Sequence, residues 1–226
     1  MVRGDFMSVA WLRSPVGLGR ATAVLLGIVV VGQLFGVLTD VVLYSLYGDL
    51  AAGIDVGERS EFADRLSYIA TPVQTGPLLP TVVVYLCWFW RVRVNGEVFE
   101  PGGHAKRRGW TIGAWFVPVV NLWFPRRVMV DVWNASAPLG QRVSHGLVNA
   151  WWTLWVLWLV VSRVVSVQDR KAETFAEYRQ VMGVTMVMDA VGAAAGVLAL
   201  LVVLRVTRMQ NEKAMAGARG AVLSVG

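Results

Sequence analysis

Cysteine is almost absent from this chain, and the residue patterns of known catalytic and metal sites are missing. The one cysteine, Cys87, lies inside an apolar run, so a disulfide within the chain is excluded. The two histidines, His104 and His145, lie in predicted loops far apart in the sequence. No H-E-x-x-H, G-x-S-x-G, P-loop or glycine-rich dinucleotide turn occurs. We therefore predict a protein that is not an enzyme and has no metal or cofactor.

Charged residues are scarce as well. They make up 16% of the chain, against about 25% in an ordinary soluble protein. Hydrophobic residues make up 56%, and the mean hydropathy is +0.55, which indicates an integral membrane protein. The net charge of +6 does not require nucleic acid as a partner, because lysine and arginine accumulate in cytoplasmic loops. No recognised RNA- or DNA-binding module is present.

Long uncharged runs predict the membrane spans. A bilayer core requires roughly 20 apolar residues in a helix. The predicted spans cover residues 20–47, 66–90, 147–165 and 181–204, between a cytoplasmic leader at 1–19 and a flexible cytoplasmic tail at 211–226. The first run is too long for the apolar region of a signal peptide, and no cleavage pattern follows it. We therefore predict an all-α membrane protein with four transmembrane helices in one domain, residues 20–210.

Two features of these spans predict how the helices pack and bend. Gly32 and Gly36 in the first span, and Gly192 and Gly196 in the last, have a spacing that lets another helix approach closely. Three prolines crowd the first half of the second span. Because a proline inside a helix removes a hydrogen bond and clashes with the preceding turn, that half should be bent or unwound.

A separate segment, residues 110–136, lies between the second and third spans. Its uncharged part, Trp110–Phe124, has only 15 residues and contains Pro118, so a straight crossing helix is disfavoured. Basic residues flank this part on both sides, and short loops rich in lysine and arginine stay cytoplasmic. We predict a re-entrant or interfacial helical element, and a fifth, proline-kinked crossing is the alternative.

The same segment contains the residues that we predict to lie at headgroup depth. Tryptophan prefers the membrane–water interface, and basic side chains are attracted to anionic headgroups. The candidate headgroup residues are Lys106, Arg107, Arg108, Trp110, Trp115, Asn121, Trp123, Arg126 and Arg127. After Pro125 the pattern predicts an amphipathic helix lying in the interface. Its apolar stripe consists of Val128, Met129, Val132 and Trp133.

The distribution of lysine and arginine predicts the orientation. With four spans and the segment at 110–136 on one side, most of the 21 basic residues fall on the side that also holds both termini. Because basic loops stay cytoplasmic, we predict a multi-pass plasma-membrane protein with both termini in the cytoplasm.

Four polar residues lie inside or at the ends of the predicted spans. Asp40, Gln74 and Asp189 each lie about seven residues from an outer end, ~10 Å below the surface at ~1.5 Å per residue. Arg163 can extend toward the same level. Ionisable residues inside a span are costly and normally face the bundle interior. We predict a polar layer in which Arg163 neutralises Asp40, Asp189 or both, acting either as an ion pair that fixes packing or as a binding or permeation site.

Several aromatic and proline motifs give the chain a family resemblance. The motifs are Arg91-x-Arg93-x-Asn95, Phe99, Pro101, Gly109-Trp110, Gly113, Trp115-Phe116-x-Pro118, Asn121-Leu122-Trp123-x-Pro125, Asp131-x-Trp133 and Asn149-x-Trp151-Trp152. From about Arg20 to Gln210 the chain resembles the actinobacterial membrane proteins grouped as domain of unknown function 4328. The resemblance implies a multi-pass bacterial membrane protein and supplies no activity, because none is assigned to that family.

Two functions are compatible with these observations. The first is a non-enzymatic scaffold, sensor or lipid-contacting component with a basic, aromatic cytoplasmic face. Its expected partners are membrane lipids, with anionic lipids as candidates, and a second copy or another membrane protein. The alternative is a small oligomeric channel or transporter that uses the polar layer, because discontinuous helices often line substrate sites.

Overall fold

A computed structural model describes residues 12–138, 140–141 and 143–223 of the chain. About 80% of the structure is helical, and the described residues contain no β-strand. The helices are α1 (Val16–Ala51), α2 (Glu58–Thr75), α3 (Leu78–Phe99), α4 (Trp110–Gly113), α5 (Phe124–Ser136), α6 (Gly146–Asp169) and α7 (Phe175–Leu223), with a 3₁₀ turn at Val120–Leu122. The all-α fold predicted from the sequence is confirmed.

Four helical stretches are long and apolar enough to cross a membrane. They are Val16–Ala51, Glu58–Phe99, Gly146–Asp169 and Phe175–Gly217, and each contains one predicted span. The segment between the second and third stretches is broken into short elements, since α4 has 4 residues and the 3₁₀ turn has 3. Among the described residues, a fifth stretch of sufficient length and hydropathy is absent.

The second stretch is interrupted between α2 and α3, where proline removes a helical donor. Helix α2 ends at Thr75, and Gly76 N–H donates to the Pro72 carbonyl (2.9 Å). The chain resumes as α3, with Thr81 N–H donating to the Pro77 carbonyl (3.1 Å). The predicted bend is therefore located at residues 76–77, whereas Pro72 is accommodated inside α2.

The end of the chain differs from its prediction. The flexible tail predicted from residue 211 is instead helical as far as Leu223, because α7 continues through it. Arg208 pairs with Glu212 one turn later (2.7 Å), and Lys213 Nζ donates to the carbonyls of Ala135 (2.8 Å) and Ala137 (3.1 Å). These contacts tie the first turns of the predicted tail to protein. Residues 1–11 of the predicted leader and 224–226 of the tail lie outside the described residues.

The chain divides into two compact units. Unit 1 contains the described parts of Met1–Arg20, Tyr85–His145 and Val203–Gly226. Unit 2 contains Ala21–Val84 and Gly146–Val202. Unit 2 thus holds most of the length of the apolar helices, and unit 1 holds the short-helix segment.

Glycines set the packing inside unit 2, as the small-residue spacing predicted. A Cβ added at Gly32 would lie 3.0 Å from the backbone carbonyl oxygen of Val73 in α2. A Cβ at Gly196 of α7 would lie 2.7 Å from the Val30 side chain of α1. At Gly32 no side chain separates the two backbones, whereas at Gly196 the Val30 side chain fills the space that a Cβ would take, so both glycines allow a close helix approach.

The core of unit 1 covers a face that its sequence pattern assigned to lipid. The stripe Val128, Met129, Val132 and Trp133 of α5 is buried inside the protein. Gln210 of α7 donates from Nε2 to Ser136 Oγ at the end of α5 (3.0 Å) and to the Val92 carbonyl of α3 (2.8 Å). The stripe that predicted an interfacial helix is therefore covered by protein, because an apolar face of helical period fits a protein core as well as a membrane.

Candidate functional site

Three of the four polar residues predicted to share a layer are brought together in unit 2. Gln74 of α2 donates from Nε2 to Asp189 Oδ2 of α7 (2.6 Å), and Asp189 is only 3% exposed. A Cβ at Gly36 of α1 would overlap both groups, so the glycine makes the room that they occupy. Asp40, one turn further along α1, is 7% exposed and interacts electrostatically with Asp189.

Arg163 does not join this layer, contrary to the prediction. Its side chain is exposed on α6, and it pairs with none of the carboxylates in the described ranges. Trp158 of the same helix contacts the position of Gly192 in α7. Five residues correspond to a rotation of about 140° around the helix axis, so Arg163 points away when Trp158 points inward. Depth along a span does not specify the helix face on which a residue lies.

Two residues of the site were not singled out from the sequence. Gln33 of α1 is 8% exposed, and its Oε1 has no hydrogen-bond partner among the described residues. The Trp158 indole N–H is also buried without a described partner, and both side chains lie within 3.5 Å of a Cβ placed at Gly192. The signal for Gln33 was its spacing, since Gln33, Gly36 and Asp40 recur every three or four residues on one helix face.

We call Gln33, Asp40, Gln74, Trp158 and Asp189 the inner polar cluster. It contains two acids and two amides, and the charged group that acts on Asp40 is the other acid, Asp189. Groups of three or more histidine, cysteine, aspartate or glutamate residues that could hold a metal ion are absent from the part of the chain that the structure describes. The carboxylate and amide oxygens of the cluster can accept protons or hydrogen bonds.

The basic residues of the segment predicted to meet headgroups divide into two groups. Arg108 Nε donates to Glu97 (2.8 Å), which also pairs with the buried Arg93 (2.6 Å). The ammonium of Lys106 lies over the Phe124 ring, 4.3 Å from its centroid. These contacts hold Lys106 and Arg108 against protein. Arg107 and Arg127 are exposed, and Arg126 is half-buried.

The aromatic residues of the segment divide in the same way. Trp115 packs edge-on against the rings of Tyr85 (5.5 Å) and Phe89 (6.4 Å) and belongs to the core of unit 1. Trp110 packs edge-on against Phe124 at 5.1 Å. Asn121 is half-buried in the 3₁₀ turn, whereas Trp123 is 46% exposed. Only part of the predicted headgroup set is therefore at the surface.

Exposed apolar side chains are frequent in the middle of the segment, at residues 112–123. Phe116 is 68% exposed and Val119 is 62% exposed. We call the whole set the apolar tip, which consists of Ile112, Phe116, Val117, Val119, Leu122 and Trp123.

A tight turn forms the apolar tip. Val119 has a φ of 67° and a ψ of −52°, and Val120 N–H donates to the Pro118 carbonyl at 2.7 Å. This is a γ-turn with positive φ, a strained conformation for a β-branched residue. Pro118 cannot donate its own nitrogen, which explains why the helix does not continue through this point.

Unit 1 also contains two buried amide side chains, Asn95 and Gln210, which were not predicted as a site. Their contacts are structural. Asn95 Nδ2 donates to the Arg13 carbonyl (2.8 Å) and to Gln210 Oε1 (3.0 Å), while Arg13 N–H donates to Asn95 Oδ1 (3.1 Å). Asn95 and Gln210 are fully enclosed. Because their amide groups are hydrogen-bonded, they hold the segments of unit 1 together.

The two histidines lie in different surroundings. Burial lowers the pKa of His104 below its ordinary value, with the nearby Gly96 backbone acting in the opposite direction. His104 is therefore a neutral side chain at pH 7. His145 Nε2 lies 2.7 Å from Asn134 Oδ1, at the end of α5.

The fold and these surfaces define a class, the all-helical proteins with four helices capable of spanning a membrane. The family model of the domain of unknown function DUF4328 matches residues 56–208, and the chain belongs to that family. The family predicted from the tryptophan and proline motifs is therefore confirmed. No curated protein and no solved structure matches the chain. The match includes Gln74, Asp189 and the apolar tip, whereas Gln33 and Asp40 precede it.

Proposed function

We propose that the protein is a non-enzymatic membrane scaffold or sensor that contacts anionic lipid headgroups through residues 106–127 on its cytoplasmic face. The observation that carries this proposal is the apolar tip, whose most exposed members are Phe116 and Val119. The exposed Arg107 and Arg127 stand in the sequence on either side of it.

The apolar tip is unusual for a connection between helices. Long apolar helices are exposed to lipid along their length, but a short broken segment in water would not leave phenylalanine, valine and tryptophan uncovered together. A membrane interface covers such side chains and accommodates indole rings. Lipid is therefore the occupant that fits the apolar part.

The exposed arginines supply a preference for anionic headgroups. Each basic residue near the surface contributes about 1 kcal/mol of attraction to an anionic leaflet. Arg107 and Arg127 together should give ~2 kcal/mol, or an enrichment of about 30-fold, since 1.4 kcal/mol corresponds to tenfold. Lys106 and Arg108 should contribute less, because Phe124 and Glu97 already hold them.

Lipid contact is testable by quenching in a Cys87→Ser background. We expect a fluorophore on Val119→Cys to be quenched by brominated lipid, and more strongly by brominated phosphatidylglycerol than by brominated phosphatidylcholine. The double variant Arg107→Gln, Arg127→Gln should remove the preference while the quenching itself remains, because the apolar tip is intact.

Two controls make this measurement specific. A label on Ala52→Cys, in the exposed connection between α1 and α2, should show no preference for anionic lipid. Arg65→Gln, which removes an exposed arginine paired with Glu61, should leave the preference unchanged. Absence of quenching at residue 119, or a preference that survives the double arginine variant, would contradict the proposal.

A small oligomeric channel or transporter is the second candidate function. The partly buried hydrogen bond between Gln74 and Asp189 supports it, because broken helices and enclosed polar groups often form substrate sites. This bond is close in sequence to the interruption at residues 76–77. Reconstituted protein should then conduct ions into liposomes, and Asp189→Asn should abolish the flux. Flux that is absent, or is equal in wild type and Asp189→Asn, would rule this function out.

We propose a partner protein for the scaffold function and for the channel function alike. A second copy of the chain is the simplest partner for a channel, because a single set of four spans has few helices to enclose a pore. The scaffold proposal does not depend on a particular oligomeric state.

A further inference from the structure

We propose that Asp40 and Asp189 form a proton-binding site within the inner polar cluster of unit 2. Proton binding at this site does not depend on whether ions cross the membrane. It is also independent of lipid contact at the apolar tip.

Among the residues that the structure describes, no positively charged side chain pairs with Asp40 or Asp189. Asp189 acts on Asp40 as the neighbouring charge, while α2 presents the neutral Gln74 and α6 presents the neutral Trp158. Arg163, the cation that we expected here, is exposed. Burying a carboxylate without a cation is so costly that the group neutralises instead.

Arg179 is the other cation to consider on the helices around the pair, and its contacts lie elsewhere. Its guanidinium stacks on the Tyr44 ring (4.6 Å) and lies 3.3 Å from a Cβ built at Gly48. Gly48 is about two helical turns from Asp40, which corresponds to ~12 Å along α1. Arg179 is therefore engaged too far along the helix to neutralise the acids.

Independently of charge, two buried hydrogen-bond acceptors of the cluster have no donor among the described residues. Gln33 is more than nine-tenths buried, its Oε1 lacks a partner among the described residues, and its amide carbon lies 3.5 Å from the Cβ position of Gly192, one turn from Asp189. Asp40 Oδ2 is likewise buried without a described partner. Unpaired buried acceptors are expensive. Because no described residue donates to Asp40 Oδ2, a proton bound there would supply the missing donor.

A proton meets both requirements at once. When a hydronium ion transfers one proton to Asp40 Oδ2, its O–H bond breaks, a water molecule is released and a new O–H bond forms on the carboxylate. One buried negative charge is removed, and the new O–H group is a donor for the Asp189 carboxylate. No electron transfer is involved. Two neighbouring carboxylates cannot easily ionise together, so the second proton should leave at a more alkaline pH than the first.

Infrared difference spectroscopy in nanodiscs of neutral lipid tests the inference directly. We expect wild-type protein to show the carbonyl stretching band of a protonated carboxylic acid at neutral pH, where the pair holds one proton. Between acidic and alkaline pH the band should decrease in two steps, because the fully protonated pair holds two protons. Asp40→Asn and Asp189→Asn should each leave a single step, because one partner of the coupled pair is gone. Asp64→Asn, which changes an exposed carboxylate of α2, should titrate as wild type does.

Several results would contradict proton binding by Asp40 and Asp189. One is absence of the band at neutral pH, and another is a band that both asparagine variants retain unchanged. Loss of the band in sodium chloride, but not in choline chloride of equal ionic strength, would assign a metal cation instead of a proton. Where a variant does not fold, wild-type protein labelled with ¹³C at the aspartate carboxyl carbon decides the case, because an unshifted band excludes aspartate.

Discussion

Gly36→Leu should unfold unit 2 at a markedly lower temperature than wild type. Even a Cβ at this position overlaps Gln74 and Asp189, so a leucine must displace their hydrogen bond as well as overpack the helix contact. Overpacking costs ~2 kcal/mol, and a buried hydrogen bond to a charged group contributes a further ~2 kcal/mol. A loss of ~4 kcal/mol should lower the melting temperature by about 12 °C in a chain of this size.

The matched control lies on the same helix. Gly17 of α1 is exposed and has open space where a Cβ would stand, so Gly17→Leu should melt within a few degrees of wild type. Thermal unfolding in detergent, followed by tryptophan fluorescence, measures both. Equal melting temperatures for the two leucine variants would show that Gly36 does not make room for the polar cluster. Gly36→Ala combined with Gln74→Ala should lose less than the two single changes together, because the clash is shared.

Gln210→Leu should have the second largest effect, in unit 1. Gln210 is buried, donates to the Val92 carbonyl and Ser136, and accepts from Asn95. Leucine of similar volume fills the space but leaves Asn95 and the Val92 carbonyl short of a partner. At about 1–3 kcal/mol for each unsatisfied buried group, we expect a loss of ~3 kcal/mol and a melting temperature lower by about 9 °C.

Gln180→Leu is the control for this change, because Gln180 is exposed on the same helix. It should alter stability by less than ~0.5 kcal/mol. The double variant Asn95→Leu, Gln210→Leu should be more stable than the two single losses added together, since each change removes the partner that the other leaves unsatisfied. Strict additivity would argue against a coupled pair.

Much of the architecture followed from local properties of the chain. The length and hydropathy of the apolar runs predicted four spans, and the structure contains four matching helices. Pro77 predicted an interruption because proline lacks a backbone donor, and α2 ends just before it. Pro118 and the short uncharged stretch around it predicted a break between the second and third spans. The backbone hydrogen bonds that a proline removes involve only residues near it in the chain, so the sequence is sufficient to predict such a break.

The sequence did not predict in the same way what covers each helix face. The apolar stripe of α5 is real, but protein covers it where lipid was expected. Trp115 was predicted at headgroup depth and instead packs on Tyr85 and Phe89. Periodicity reports that a face is apolar, whereas what covers the face depends on segments far away in the sequence, such as the end of α7.

The polar layer was also predicted only in part from the sequence. Depth along each span, obtained from a fixed rise per residue, placed Asp40, Gln74 and Asp189 near one another. Rotation about each helix axis decided that Arg163 lies outside the layer and that Gln33 and Trp158 lie inside it. That rotation is set by how glycine faces let the helices pack, which involves pairs of residues on different helices.

The sequence by itself determined that four helices are long and apolar enough to cross a membrane, and that prolines interrupt the chain at particular points. It also determined the family, because the tryptophan and proline motifs are contiguous. Only the tertiary structure decided which acids lie close together without a cation among the described residues, which arginines are exposed, and which apolar stripe is enclosed. The physical reason is that helix formation depends on neighbours along the chain, whereas burial and charge pairing depend on neighbours in space.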